Sequence, residues 1–333
     1  MKLKNSSKRY FFGVFLVFSS WSCTKTSAEY TFNLALVTPA DHPHTIASRK
    51  FADLVEDGSK GKIVIRVFDS ASLGSNPELL DGIHMGIIDF AISTPSILAE
   101  FDPTPGIFGL PYLFKNIEHM LSVTRGNIGT QIKKIYQRNT GIKILSYAGG
   151  SQRHMISKSP IRSIKDLEGQ QMRTMEWEVS VQWWKALGAN PTVLPFNEVY
   201  TALQTGVVDG GENEFPSFTI NRWAEPAKYI ALTRHIIAVR PLIMNGKKFN
   251  SLPSGLQTVV QNAANEAADY DIQLETSVEF ELKQQLEDDF GVEFIELNIE
   301  PFIERSLPVI NSFGKDSDLD VFIDQIVDLG TQF

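Results

Sequence analysis

The chain predicts an α/β protein built as two similar lobes, on three observations. Its 333 residues exceed what one compact core usually holds. Strand-like and helix-like segments alternate, the order that produces largely parallel sheets with helices on their faces. One helix–glycine–strand unit also occurs twice: PELLDGIHMGIIDF (Pro77–Phe90) lies over NEVYTALQTGVVDG (Asn197–Gly210) without a gap, 120 residues apart. In that overlay Glu78 falls on Glu198, Ile83 on Leu203, Gly86 on Gly206 and Asp89 on Asp209. The offset is too long for a solenoid and suits a repeated lobe. Coincidence between two ordinary αβ units is the competing explanation.

The N-terminus is a separate object. Lys2, Lys4, Lys8 and Arg9 precede the apolar run YFFGVFLVFSSW (Tyr10–Trp21), and small residues follow, the order of a secretory signal. The run falls well short of the roughly 20 apolar residues a membrane span needs. TSA (Thr26–Ala28) is a tolerable cleavage site, so residues 1–28 are expected to leave as a signal peptide. Cys23, the single cysteine, stands where a lipoprotein carries its acylated residue, but Ser20 replaces the usual leucine and disfavours lipidation. Losing residues 1–28 removes five of the 31 basic residues and none of the 39 acidic ones, leaving a net charge of −13. Such a chain is a poor partner for nucleic acid or an anionic membrane surface.

Thereafter YTFNLALV (Tyr30–Val37) reads as a strand and His44–Gly61 as a helix closed by glycine. KIVIRVF (Lys62–Phe68) alternates with period two, as a half-buried strand does. NPELLDGIHMGI is a helix opened by an asparagine, leading into the strand IDFAIST. NIEHMLSVTRGNIGTQIKKIYQRNTG reads as one helix and IKILSYAG as the strand after it. Ser254–Gly291 carries the longest helical pattern, with Leu256, Val260, Ala263, Ala267, Tyr270 and Leu274 on one face and solvated charges expected on the other. At 1.5 Å per residue an unbroken helix there reaches roughly 50 Å, enough to brace both lobes.

Catalytic signatures are missing: the sequence holds no Gly-x-Gly-x-x-Gly, phosphate loop, Gly-x-Ser-x-Gly or His-Glu-x-x-His. DHPH (Asp41–His44) has metal-ligand residue types but no second cluster, and reads as a loop entering a helix. The other histidines are scattered and read as surface or core. Neither metal nor cofactor is expected.

What stands out is charge at segment ends. Arg173 sits in the short apolar strand of GQQMRTMEW, although an unpaired guanidinium is expensive to bury. Arg153 follows the strand IKILSYAG, and Glu212 and Asn213 follow the turn DGG. Strand ends and helix starts converge on the ligand crevice in open α/β sheets. Two arginines and an amide there would bind a carboxylate, which a guanidinium fork grips through two parallel hydrogen bonds. The alternatives are an internal pair to an acid such as Glu198 for Arg173 and a surface pair for Arg153.

DLEGQQMRTM, WKALGANPT, LPFNEVYTALQTGVVDGGEN, SLGSNPELLDGIHMGIIDFAI and FGLPYLF resemble the extracytoplasmic solute-binding proteins of tripartite ATP-independent periplasmic (TRAP) transporters, from about Tyr30 to beyond Phe290. The resemblance implies a two-lobed periplasmic binding fold of type II-like form, with a hinge and a long C-terminal helix spanning both lobes. It sets lobe I at 29–150 plus about 239–278, and lobe II at 151–238 plus about 279–333. It makes Arg173 the main carboxylate ligand and Arg153 a second arginine, with Asn213 a ligand contact and Phe196 a cleft wall. Glu78 and the loop from Thr38 to His44, including His42, fall where the first lobe touches ligand. Glu176, Trp177 and Glu212 are added because carboxylates can accept from hydroxyls and an indole can lie on a sugar face.

The resemblance thus implies a periplasmic, monomeric protein that captures an organic acid and hands it to the TRAP permease subunits without catalysis. A sugar acid such as a uronate is expected, ahead of a C4-dicarboxylate, a 2-oxo acid or an amino-acid-like compound. A secreted hydrolase using paired carboxylates, or a sensor subunit, are the readings from other classes.

Overall fold

The computed structural model describes residues 28–333; the expected signal peptide up to residue 27, with Cys23, lies outside the described residues. The first half runs β1 (Tyr30–Ala35), α1 (Pro43–Gly58), β2 (Ile63–Phe68), α2 (Asn76–Met85), β3 (Phe90–Ile92), then α3 (Pro95–Leu98), α4 (Ile117–Arg125) and α5 (Asn127–Thr140). A 16-residue strand, β4 (Ile142–Ser157), leads into the second half. There follow β5 (Gln171–Thr174), α6 (Glu178–Ala186), β6 (Asn190–Val193), α7 (Val199–Thr205), β7 (Gly210–Asn213) and α8 (Phe215–Ile220). The long strand β8 (Tyr229–Asn245) returns, followed by α9 (Gly246–Ser251) and α10 (Ser254–Asp288). β9 (Glu293–Ile295), α11 (Glu300–Asp316) and α12 (Asp320–Leu329) close the chain.

One sheet joins these strands in the order β2-β1-β3-β8-β4-β7-β5-β6, with β9 beside β8. β2-β1-β3 are mutually parallel, and so are β7-β5-β6; between the two trios the long strands β8 and β4 pair antiparallel. The β1-α1-β2-α2-β3 run and the β5-α6-β6-α7-β7 run therefore have the same strand order, mirrored about the crossing pair.

The repeat extends to individual hydrogen bonds. Gly86 and Gly206 both end their helices in the left-handed region, at φ 76° and 80°, a conformation that only glycine adopts without strain. After them the N–H groups of Ile87 and Ile88 reach Gly82 O, and those of Val207 and Val208 reach Ala202 O. Asp89 then accepts from Asn33 N at 2.7 Å, and Asp209 accepts from Gln171 N at 2.8 Å. Each aspartate fastens its strand to the central strand of its trio.

The helix α10 braces both halves, as its length predicts. Val260, Ala263, Ala264 and Ala267 pack on Phe32, Leu34 and Phe90 of the first half, while Leu286 packs with Phe218 and Trp223 of the second. Two sequence expectations fail here. Midway along α10 the buried positions are carboxylates, Asp271 (2% exposed) and Glu275 (1%), rather than the solvated charges expected. The helix read as one element over 116–141 is two, because Gly126 is extended (φ −83°, ψ −162°) and ends α4.

β4 bulges where it passes between the halves, with register shifts between Gly149 and Gln152 and again at Arg153 to Met155. Gly149 and Gly150 take φ of 96° and 124° there, and a Cβ on Gly149 would stand 2.3 Å from Ala238 O. Asp271 accepts from Gly149 N at 3.0 Å and Glu275 from Ser151 N at 2.9 Å. The carboxylates of the long helix thus hold the irregular backbone of the crossing strand.

Candidate functional site

The carboxyl ends of the parallel strands in both halves face one cleft of about 530 Å³. This is where open α/β sheets bind ligands, because helix starts and free strand ends converge there. Thr38, His42, Asn76 and Thr94 line it from the first half, Phe196 and Ser217 from the second. Arg173 and Asn213 approach from the ends of β5 and β7, and Arg153 and Arg240 from the crossing strands.

Arg173 is 3% exposed. Its Nε donates to Leu194 O at 2.9 Å, and among the described residues no carboxylate lies within 4.0 Å of it. Glu198, the alternative partner, is exposed. Burial pulls the Arg173 pKa down to about 10, with Glu212 opposing from a distance, so the group stays charged at neutral pH.

Arg153 is also buried but fully paired. Its Nε and Nη2 donate to the two carboxylate oxygens of Glu212 at 2.6 and 2.8 Å, and its Nη1 to Glu214 Oε1 at 3.1 Å. Burial would raise the Glu212 carboxyl, but Arg153 and the nearby His235 Nε2, 3.3 Å away, hold it far below its usual range. The pair is internal, not a surface one.

From Glu214 the chain of charges continues to the long helix. Arg240 pairs with Glu214, and its Nε donates to His44 Nε2 at 3.0 Å. His44 Nδ1 meets Asp271 Oδ1 at 3.1 Å, while Glu275 Oε1 stands 3.2 Å from His44 Nε2. That nitrogen already accepts from Arg240, so the facing oxygen of Glu275 finds no hydrogen-bond partner among the described residues. Burial, opposed by His44 and reinforced by Asp271, raises the Glu275 pKa to about 7. His44, Asp271 and Glu275 have metal-ligand chemistry and lie close together, but the Arg240 guanidinium occupies the lone pair a cation would need.

The structure brings Arg173, Arg153, Asn213, Phe196 and His42 to the cleft wall. Four residues expected there stand elsewhere. Glu78 is exposed, and its carboxylate accepts from Ser75 N (2.7 Å) and Ser75 Oγ (2.8 Å), capping α2; its neighbour Asn76 lines the cleft instead. Glu176 is exposed. Trp177 packs across the halves on Phe313, ring centroids 5.8 Å apart, and against Gly106 and Gly109. Glu212 lies behind Arg153. Trp183 and Trp184 are core, and Trp183 Nε1 donates to Ser306 Oγ at 2.8 Å.

Sequence reasoning missed Arg240, and it placed His44 at the end of the ligand-facing loop without its charge network. Arg240 lies in the apolar strand β8, so the signal that singled out Arg173, a guanidinium inside a buried strand, was available for it too. His44, taken as the opening of a helix, is buried against Arg240. DHPH is more than a lead-in, since His42 caps α1 and faces the cleft.

Two α/β lobes closing around a buried cation that no carboxylate among the described residues pairs are the build of a binding protein for small anions. The chain belongs to the bacterial extracellular solute-binding proteins of family 7, whose family model matches residues 34–316. It is 36% identical over 250 residues to a solute-binding protein of Sulfitobacter sp. (strain NAS-14.1), covering 75% of this chain and 76% of that protein. It is 28% identical to the 2,3-diketo-L-gulonate-binding periplasmic protein YiaO of Escherichia coli, over 81% of each. Among solved structures it resembles a TRAP periplasmic solute-binding protein of Xanthobacter autotrophicus with bound β-D-galacturonate (TM-score 0.85, 31% identity, 89% of this chain and 98% of that one). It also resembles one of Roseobacter denitrificans with bound L-galactonate (TM-score 0.86, 28% identity, 91% and 100%).

Proposed function

We propose that this protein captures a sugar acid, a uronate or an aldonate, in the cleft and delivers it to a TRAP permease in the periplasm. The observation that carries the reading is Arg173: buried, charged, lining the cleft and without an acid among the described residues within 4.0 Å. A ligand carboxylate completes it, through the paired charge-assisted bonds a guanidinium fork offers. Asn213 and Phe196 flank the same space from the second lobe, and the first lobe supplies hydroxyl and amide groups suited to sugar hydroxyls. The neighbours' ligands support this chemistry, since galacturonate and galactonate each join a carboxylate to several hydroxyls.

The action is binding and closure, as a monomer and without catalysis. Contacts from the first lobe that exist only in the closed form shift the population towards closure. The bulged stretch of β4, held by Asp271 and Glu275, supplies the flexing point. No helix among the described residues is long and apolar enough to cross a membrane.

A thermal-shift screen of the protein without residues 1–28, against uronates, aldonates, C4-dicarboxylates and 2-oxo acids, tests the proposal. Stabilisation by sugar acids that are recovered unchanged supports it. Stabilisation by none of them, or turnover of a glycoside, refutes it.

A further inference from the structure

His42 is a buried polar side chain with one ring nitrogen accounted for. Its Nδ1 accepts the His44 N–H at 3.3 Å and so caps the start of α1. That nitrogen carries the lone pair, so in the neutral ring the proton sits on Nε2. Nε2 is buried, has no partner among the described residues, and belongs to a side chain 1% exposed that lines the cleft. The ring is held in place by its neighbours. It lies against the His44 ring at 4.6 Å between centroids, and its backbone N–H bonds to Pro39 O at 3.1 Å. An unpaired buried donor is costly, and a ligand in the cleft that His42 lines would satisfy it.

The charges around it are committed. Arg153 is held by Glu212 and Glu214, and Arg240 by Glu214 and His44. His44 in turn faces Asp271 and Glu275. Two arginines thus balance two glutamates, leaving Arg173 as the uncommitted cation among the described residues that line the cleft.

Taking the sugar-acid reading as its basis, we infer that His42 is a specificity residue of the first lobe. Its Nε2–H donates to a hydroxyl or ring oxygen of the ligand, and, being uncharged, it leaves the cleft matched to a single carboxylate. The site is then selective for singly charged polyhydroxy acids and rejects sugar dicarboxylates of the same hydroxyl pattern. Burial, with His44 and Arg240 close by, holds the His42 pKa well below the ordinary histidine value, so the ring stays a neutral donor.

D-Gluconate and D-glucarate provide the comparison, since both are open-chain acids that differ at one terminal carbon, a hydroxymethyl group in gluconate and a second carboxylate in glucarate. In calorimetric titrations the wild-type protein should bind glucarate roughly 100-fold more weakly, because a buried carboxylate without a cation is strongly disfavoured. His42→Asn keeps an acceptor for the His44 N–H but falls short of the ligand. It should leave the ligand-free melting temperature unchanged and weaken gluconate about tenfold. His42→Gln restores a neutral donor at the Nε2 position and should recover most of the affinity. In the wild type, the nitrogen-resolved imidazole signals of His42 should show the Nε2–H tautomer, with the proton shifting on saturation. Equal binding of the two acids, full affinity in a stable His42→Asn protein, or an Nε2 signal indifferent to ligand would overturn the inference while leaving the sugar-acid reading intact. Wild-type protein that binds neither acid in the titrations, or any acid in the wider screen, would remove both.

Discussion

Replacing Arg173 with methionine should move stability and affinity in opposite directions. The guanidinium is buried, and burial is the dominant influence that takes its pKa from 12.5 to about 10. At about 1.4 kcal/mol per pKa unit, that corresponds to about 3 kcal/mol of unfavourable burial, present at every pH below 10 because the folded protein holds the charged form against desolvation. Methionine removes the charge while filling similar volume, at the loss of the hydrogen bond to Leu194 O, worth about 1 kcal/mol. The ligand-free variant should therefore be more stable by about 1–2 kcal/mol, a rise of about 2–5 °C in melting temperature. Sugar-acid affinity should fall by about 2–5 kcal/mol, since the ligand carboxylate then has no cation. Differential scanning calorimetry and isothermal titration of the same preparations read both quantities. A variant that is less stable and still binds uronate tightly would mean that Arg173 serves the fold and not the ligand.

Three further outcomes follow from the geometry. Glu275, with a pKa raised to about 7, binds a proton in the folded state that it releases on unfolding; its share of stability is therefore present at pH 5 and lost as pH rises through 7. Thermal melts from pH 5 to 8 should show that loss in the wild type and a flatter profile in Glu275→Gln. Asp89→Ala and Asp209→Ala each remove a charge-assisted bond to the central strand of a trio, and chemical denaturation should register losses of about 1–3 kcal/mol for both. Gly206→Ala, at φ 80°, should cost about 1 kcal/mol in the same assay, with ligand affinity unchanged.

Much of the frame could be read from the chain because its signals are local. The two helix–glycine–strand units share a left-handed glycine and an aspartate, and each of those residues has the same physical job in both halves, whereas the Ser75–Glu78 cap belongs to the first unit alone. The 35-residue helix follows from an apolar stripe that persists without a break. Arg173 stood out because a full charge in an apolar strand requires an explanation wherever the strand lies. The residues misplaced by sequence reasoning depend on pairing between distant segments. Arg153 meets Glu212 because β4 runs antiparallel to β7 with Met155 opposite Glu212, a register nothing near either residue announces. Trp177 turns from the cleft to Phe313, which lies 136 positions further along the chain. Glu78 was aligned with the correct loop, but its carboxylate turns back to Ser75, leaving Asn76 to face the space. Asp271 and Glu275 resisted reading because a carboxylate on a long helix is ordinarily solvated, and only the bulge opposite reveals what they hold.

The crossing strands and the long helix have a consequence for how the gene can be cut. β3 finds its neighbour at Leu242–Met244, and the apolar face above it is covered by Val260 to Ala267. Residues up to 150, synthesised alone, would carry a bare strand edge and an uncovered floor of Phe32, Leu34 and Phe90. Neither lobe is an independent fragment: a nascent chain must emerge past Ala267 before even its earliest strands can be sealed, and joining the termini while reopening an exposed loop is a gentler rearrangement than truncation.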